Sequence, residues 1–444
     1  MTEFDYDVLY LGSGHATFDG ALPLAERGFR IGVIEADRIG GTCPNWGCNA
    51  KVALDEPVTL QRELERMHGT VAASGQIDWP KNQAHKQTVI EDIPAGLADS
   101  MEAAGIDLIF GKGRLVDAHT IEVAGRTYQA DKLVIATGMH PHILDIPGKE
   151  YLHDSTDFLA LKKMPKQITI IGGGYIALES ATLANAAGSD VTVLLHHDRV
   201  LRAFDPAFVD LMVADLKKRG VRFIKSAQPK AVTAAASNLQ VHTAAGIVTT
   251  DWILDASGRI ANTKGLGLAE LGIETNEDGI VVNDYLQTTV PNIYASGDVL
   301  SKDVPKLTPT AMFESRYLMH LFAGDEKTPI RYPAIATTVF TSPRIAQAGV
   351  DIATAQANPA IYRIVERDLK QNWYRQVSYE DIAKVKLIFN QQNQLVGVTE
   401  ISEQAVDVVN SLLPAIEFGF TPDQLERIIN IFPSISASAY SKLA

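Results

Sequence analysis

The stretch Asp7-Val-Leu-Tyr-Leu-Gly12-Ser-Gly14-His-Ala-Thr17 decides how the chain folds. Its run Asp7–Leu11 reads as a buried strand, and the two glycines after it open a helix-like stretch that continues to Arg27. A second strand, Ile31–Ile34, ends at Glu35, roughly 20 residues on, where a dinucleotide-binding βαβ unit places an acid for ribose hydroxyls. In such a unit Gly12 permits the tight turn. Gly14 lets backbone N–H groups approach a pyrophosphate at the positive end of the helix.

The pattern recurs. Strand Ile168–Ile171 runs into Gly172-Gly-Gly174-Tyr-Ile-Ala177, then a helix to Ala187, then strand Val191–Leu195 ending at His196. Two copies, each with strand, glycine turn, helix and second strand in place, predict two dinucleotide sites. Glu35 suits the ribose of FAD or NAD. The second copy has no acid there and continues His196-His197-Asp198-Arg199-Val-Leu-Arg202. His196, Arg199 and Arg202 suit a 2′-phosphate, hence NADPH with NADH possible; the alternative is a solvated basic turn.

The chain has 444 residues, too many for one core, with 46% apolar and 21% charged residues. A net charge of −13 argues against nucleic acid or an anionic membrane as partner. The acidic N-terminus has no secretory pattern, and no apolar run is long enough to span a bilayer, so a cytoplasmic protein is expected. Its 2 cysteines, Cys43 and Cys48, are close neighbours. Such a pair in a reducing compartment points to redox chemistry or to two inert thiols; a zinc site would need further ligands, and no metal site is expected.

Elsewhere the reading is coarser. Residues 57–105 are expected to be helical and then loop-like, 106–146 and 220–262 strand-rich, and the region from Tyr332 an α+β segment with antiparallel strands such as Val385–Phe389 and Leu395–Thr399.

The chain resembles the pyridine nucleotide–disulfide oxidoreductases, the family of glutathione reductase and dihydrolipoamide dehydrogenase. The resemblance rests on Gly12-x-Gly14 with Glu35, on Gly40-Gly41-Thr42-Cys43-Pro-Asn-Trp-Gly-Cys48, on Ala136-Thr137-Gly138, on Gly172-x-Gly174-x-x-Ala177 with Glu179, and on Gly297-Asp298. It implies an α/β fold with two Rossmann-like domains, for FAD and NAD(P), and a C-terminal α+β dimerisation domain. The expected boundaries are 1–148 and 266–328 for FAD, 149–265 for NAD(P) and 329–444 for dimerisation. It further implies a homodimer passing electrons from NADPH through FAD to a Cys43–Cys48 disulfide. Cys48 would face the flavin and Cys43 would attack the acceptor. Tyr175 would cover the nicotinamide side, and Lys51 and Glu179 would pair beside flavin N5. Gly41, Thr42, Thr137, Gly138 and Asp298 would hold FAD, and Gly258 the second nucleotide.

Three departures stand out. Thr17 replaces the third fingerprint glycine, which predicts looser helix–strand packing. The family's proline after the second cysteine is absent from Asn49-Ala50-Lys51. At the C-terminus the family's His-Pro-Thr-x-x-Glu element is Phe432-Pro433-Ser434-Ile-Ser436-Ala437, so Phe stands for the acid–base His, and the last histidine of the chain is His320. Losing a general acid–base costs about 10²–10⁴-fold in rate. A small disulfide is the expected acceptor by the resemblance; a metal ion, quinone or dioxygen is the runner-up, because these accept electrons without a protonating His, and a redox-sensing flavoprotein is the non-catalytic alternative. The tail lacks C-terminal cysteines, which predicts a poor match to mercuric reductase. Tyr440 is the remaining weak-acid candidate, expected in a disordered tail.

Overall fold

The computed structural model describes residues 4–72 and 75–440. Its chain divides into two compact units, residues 1–53, 84–142 and 259–331 in one and 54–83, 143–258 and 332–444 in the other.

In the first unit, Tyr6–Leu11 lies between Ile31–Glu35 and Arg126–Ile135, all parallel, with Asp107–Phe110 outside Ile31–Glu35 and Ile293–Ala295 beside Arg126–Ile135. The continuous apolar runs match this placement, since a parallel strand is covered on both faces. Val8, Leu9, Tyr10, Val33, Ile34, Leu133 and Val134 are all buried. The register sets Leu11 beside Ile34 and Ile135. The Gly12 turn therefore lies at the carboxyl ends of three strands, where ligands of such sheets bind.

The second unit repeats the device. Gln167–Ile171 lies between Asp190–Leu194 and Trp252–Asp255 in a parallel sheet completed by Arg222–Ile224 and Leu152–His153. An antiparallel sheet follows from the C-terminal region, in the order Thr337–Val339, Arg344–Gly349, Leu395–Ser402, Lys384–Phe389, Arg363–Asp368. The helix Ala405–Glu417 buries Val408, Val409 and Leu412 in the core that the sheet's Val385, Leu387 and Val398 share.

Residues 57–105 depart from expectation. The helix Cys48–Arg66 is followed by helices Trp79–Ile90 and Ile93–Ala103, so little of the stretch is loop. Along Trp79–Ile90 the buried positions are Trp79, Asn82, Lys86 and Ile90. Two of these four are polar, which erases the apolar period a helix reading needs. Among the described residues no helix is long and apolar enough to cross a membrane.

Candidate redox and dinucleotide sites

Strand Tyr6–Leu11 ends in Gly12 at φ 111°, where a Cβ would lie 2.4 Å from the Ala136 carbonyl oxygen; only glycine fits that turn. Gly14 caps the helix His15–Ala25, and no side chain caps its first turn. A Cβ on Gly14 would meet nothing closer than the Gly40 carbonyl oxygen at 3.8 Å. The uncapped N–H groups and the open space beside them suit a phosphate group. Glu35 sits at the edge of this space. Its Oε2 accepts from the Ser13 amide at 3.0 Å and hydroxyl at 2.6 Å, and its Oε1 accepts from the Asp37 amide at 2.8 Å. A carboxylate offers about four lone-pair sites, so capacity for one ribose hydroxyl remains.

Ser13, which the sequence reading passed over as a fingerprint spacer, links two loops. While donating to Glu35 its oxygen accepts from the Gly40 amide at 3.0 Å, which fixes the start of Gly40-Gly41-Thr42-Cys43. Asn45 pins the same loop by donating to the Ile39 and Gly41 carbonyls. Thr17 does not loosen the packing as expected. It is fully buried, and its hydroxyl donates to the Gly12 carbonyl at 2.8 Å. Thr137 and Gly138 are held from Asn262, whose side chain donates to the Thr137 carbonyl and whose amide donates to the Gly138 carbonyl. Asp298 lies half-buried in the turn Gly297–Val299, which the buried Glu314 steadies by accepting the Gly297 amide at 2.6 Å. Glu314 in turn pairs with Lys302.

Cys43 lies in the short helix Thr42–Trp46, and Cys48 is the first residue of Cys48–Arg66. The two thiols differ. A hydrogen bond from Cys43, another from Thr308 and the Lys51 ammonium together hold the Cys48 thiol down to about 6, against the opposing effect of burial. The same Cys43–Cys48 hydrogen bond, then burial, push the Cys43 thiol up. Cys48 is thus the resident thiolate and Cys43 the proton holder. Thr308, at 3.5 Å from the Cys48 sulfur, begins the helix Thr308–Ala323. The Cys43 Sγ lies 3.3 Å from the Asn49 Oδ1, an alternative acceptor for its single proton. The contacts of Thr308 and Asn49 with the thiols are not legible in the sequence, because 260 residues separate Thr308 from Cys48 and an Asn beside a cysteine carries no pattern.

In the second unit Gly172, at φ 127°, repeats the Gly12 turn: a Cβ would lie 2.3 Å from the Ala256 carbonyl oxygen. Gly174 caps the helix Tyr175–Ala186, again without a side-chain cap, and a Cβ on Gly174 or Gly258 would meet nothing within 4 Å. Ala177 is buried. Tyr175 packs edge-on against Phe204, ring centroids 5.6 Å apart, and burial, then the Glu179 carboxylate, push its phenol up. Glu179 accepts the Phe340 amide at 2.9 Å. His196, Arg199 and Arg202 are exposed. Asp198, which a cationic pocket would have to tolerate, is turned to use by accepting from the Ser226 hydroxyl at 2.9 Å.

At the C-terminus Phe432 is 73% exposed and lies near Trp373, ring centroids 5.8 Å apart. Exposed Ile429, Ile431 and Phe418 are further apolar side chains of this domain. Tyr440 is not in a disordered tail. It ends the helix Ile435–Tyr440, donates to the Ser411 carbonyl at 2.7 Å, and burial pushes its phenol up, which unsuits it as an acid near neutral pH. Among the described residues no three His, Cys, Asp or Glu side chains are grouped to hold a metal ion.

Comparison with known proteins agrees with this geometry. The family model described as pyridine nucleotide-disulphide oxidoreductase matches residues 6–315, and that of its dimerisation domain matches 335–441. The chain is 31% identical to the chloroplastic/mitochondrial glutathione reductase of Pisum sativum over 451 residues, covering 97% of this chain and 81% of that protein. It is 30% identical to a mercuric reductase of Lysinibacillus sphaericus over 458 residues, covering 100% and 83%. The expected poor match to mercuric reductase is thereby corrected: the alignment runs the whole length of this chain, tail included. Among solved structures, the HOCl-induced flavoprotein disulfide reductase RclA of Escherichia coli superposes with a TM-score of 0.89 at 25% identity, covering 98% of this chain and 99% of that one. RclA has also been solved as a Cu(II) complex.

Proposed function

The chain belongs to the pyridine nucleotide–disulfide oxidoreductases, and from that premise we propose that it takes electrons from NADPH and delivers them, by way of FAD and Cys43–Cys48, to a small disulfide. The asymmetric thiol pair carries this reading: one sulfur is set as a thiolate and its neighbour keeps a proton. The open, uncapped helix start at Gly14, with Glu35 and Asp298, fits FAD; Gly174 and Gly258 fit the nucleotide, and exposed Arg199, Arg202 and His196 favour the 2′-phosphate form. Lys51, which already biases Cys48, and Glu179 are proposed as the pair beside the flavin. The dimerisation domain supports a homodimer.

Bound FAD supplies a two-electron relay between the nucleotide hydride and the sulfur pair. Two electrons and one proton turn a Cys43–Cys48 disulfide into the Cys48 thiolate and the Cys43 thiol. Cys43, once deprotonated, attacks one sulfur of the acceptor and releases the other half as a thiol. The Cys48 thiolate then attacks Cys43, reforms the disulfide and releases the second half. The sum consumes NADPH, one proton and one disulfide, and yields NADP⁺ and two thiols.

The raised Cys43 thiol is the weak point of this reading. By the family resemblance an acid–base His would stand where this chain has Phe432, which offers neither charge nor proton. Since the folded value of Cys43 is raised, its thiolate is scarce at neutral pH and grows as pH rises, so disulfide turnover should climb with pH. A second reading follows from the same residue. Cu(II) accepts one electron at a time and needs no protonated leaving thiol, and RclA is a relative solved with Cu(II). Steady-state NADPH oxidation with glutathione disulfide, a small uncharged disulfide, Cu(II), a quinone and dioxygen separates these readings. The disulfide reading expects the small disulfide to be used best, with Cys43→Ser inactive toward it. Glutathione disulfide turnover at ~10 s⁻¹ or more at neutral pH would show that another group replaces the His. Full activity of Cys43→Ser with every acceptor would defeat the disulfide relay itself.

A further inference from the structure

We propose that Lys386 and Gln347, on the C-terminal antiparallel sheet, are positioning residues for the nucleotide loop 196–205 and so set the preference for a 2′-phosphate; the inference rests on the NADPH reading above. The loop has two faces. His196, Arg199 and Arg202 are exposed, whereas Val200, Leu201, Phe204 and Asp205 are buried. Arg202 is the last of the three along the loop, and the residues that anchor the backbone there lie within three positions of it.

On one side is Leu201, at φ 45°, a left-handed conformation that a branched side chain adopts only when its surroundings impose it. Its amide donates to the Gly173 carbonyl at 2.8 Å, in the fingerprint turn, and its carbonyl accepts the Phe204 amide at 3.0 Å. On the other side the C-terminal sheet takes hold. The Gln347 side chain donates to the Ala203 carbonyl at 2.9 Å. The Lys386 ammonium lies 2.6 Å from Asp205 Oδ2, while Asp205 Oδ1 accepts the Ala207 amide and so starts the helix Pro206–Lys218. Lys386 and Asp205 are 7% and 5% exposed, and the ammonium also lies 5.0 Å from the centre of the Phe208 ring.

Three attachments, at residues 201, 203 and 205, thus hold the backbone that carries Arg202 before any nucleotide arrives. A loop ordered in advance spares the binding step the entropy of ordering a flexible cation. Two of the three come from side chains of a domain that the nucleotide fingerprint does not include. Removing Lys386 would leave a buried carboxylate without its countercharge, which the loop relieves by moving outward. The contact to a 2′-phosphate should suffer and the rest of the nucleotide site should not.

The test uses the full-length holoenzyme and compares Lys386→Met, Lys386→Arg and Gln347→Leu with Arg202→Ala as reference. Two readouts are taken: kcat and KM for NADPH and NADH, and equilibrium binding of 2′,5′-ADP, which reports the phosphate site without any redox step. Lys386→Met is expected to raise the NADPH KM and the 2′,5′-ADP dissociation constant about tenfold, the size of one lost charge-assisted contact. NADH KM and both kcat values should move less than about twofold, and Lys386→Arg should restore 2′,5′-ADP binding. Gln347→Leu should give the same selective pattern more weakly. It removes a single neutral hydrogen bond, and so decides the matter if Lys386→Met does not fold. If Arg202→Ala loses 2′,5′-ADP affinity but the Lys386 and Gln347 variants bind it normally, this inference is overturned and the NADPH reading stands. If Arg202→Ala itself binds 2′,5′-ADP normally, the NADPH reading falls and takes the inference with it. Equal losses for NADPH and NADH would mark Lys386 as a general structural residue.

Discussion

Gly12 and Gly172 sit in equivalent turns, each so close to a carbonyl oxygen, of Ala136 and Ala256, that a side chain is excluded. Beyond that shared turn the two βαβ units diverge. The first ends in Glu35, a carboxylate already engaged by the Ser13 and Asp37 backbone and the Ser13 hydroxyl. In the second the strand ends at Leu194, and exposed His196 follows in the loop with Arg199 and Arg202 behind it. The helix start is common to both, and in βαβ units of this kind it suits the phosphate of any dinucleotide, while the residue after the second strand distinguishes one dinucleotide from another. One unit is tied by Ser13 and Gly40 to the redox loop, the other by Asp205 and Ala203 to the C-terminal sheet. The two units are thus braced from different parts of the chain.

The largest effect is expected where the first unit is most committed. Glu35→Ala removes the carboxylate proposed to accept from the ribose and leaves the buried Ser13 hydroxyl and amide without their partner. A charge-assisted hydrogen bond is worth about 1.5–3 kcal/mol, so FAD affinity should fall roughly 10- to 150-fold. The variant should purify with little yellow colour and regain it at high FAD. Unchanged flavin content after extensive dialysis would mean that Glu35 serves the loop alone.

How much of this was legible follows from where each partner lies in the chain. The two fingerprints and their strands are local patterns within one βαβ unit, and the structure has both units, although the second strand of the second unit stops at Leu194, short of the expected Leu195 and His196. Trp79–Ile90 was not legible as a helix through its full length, because Asn82 and Lys86 occupy buried positions. Asn82 is buried because its side chain donates to the Leu54 carbonyl, a tertiary fact with no sequence signature. Ser13 and Thr308 escaped for the same reason. Their roles depend on Glu35 and Gly40 in one case and on Cys48 in the other. Thr17 misled because a missing glycine was read as lost packing, when its hydroxyl replaces that packing with a hydrogen bond.

A smaller effect is expected at the second unit. His196→Glu would place an acid just beyond the second strand, near where the first unit has Glu35, and should shift preference toward NADH, by roughly tenfold in the ratio of kcat/KM values. Parallel kinetics with both nucleotides check this. A ratio that stays put would show that Arg199 and Arg202 set the choice unaided.

A third helix start, at Cys48, differs from both because its anion is part of the chain. The folded Cys48 thiol lies near 6, below its ordinary value of 9.0. A depressed value means the thiolate persists above about pH 6 and is lost as pH falls through it, so alkylation by iodoacetamide of the reduced protein should be half-maximal near there. The Cys43 thiol is the largest contributor, so Cys43→Ala should move the midpoint up, and Lys51→Met should move it up by less. A midpoint in Cys43→Ala identical to that of the unmodified protein would remove Cys43 from this role.

The smallest effect tests whether Thr17 is a true replacement for glycine. The second unit has Ala177 at the equivalent position, buried and unable to hydrogen-bond through its side chain, and its helix packs without that help. Thr17 adds a bond to the carbonyl of Gly12, the residue whose turn the fingerprint depends on. Thr17→Val keeps the volume and removes the donor, at a cost of about 1 kcal/mol for a buried neutral hydrogen bond. In a chain this long that amounts to a fall in Tm of roughly 2 °C, to be read by calorimetry on FAD-saturated protein beside the unmodified enzyme. Thr17→Ala should fall further, because it adds a cavity to the lost bond, although it copies the second unit's residue. If Thr17→Ala were instead as stable as the unmodified protein, the two units would tolerate the same small residue here, and the hydroxyl would be incidental to the turn.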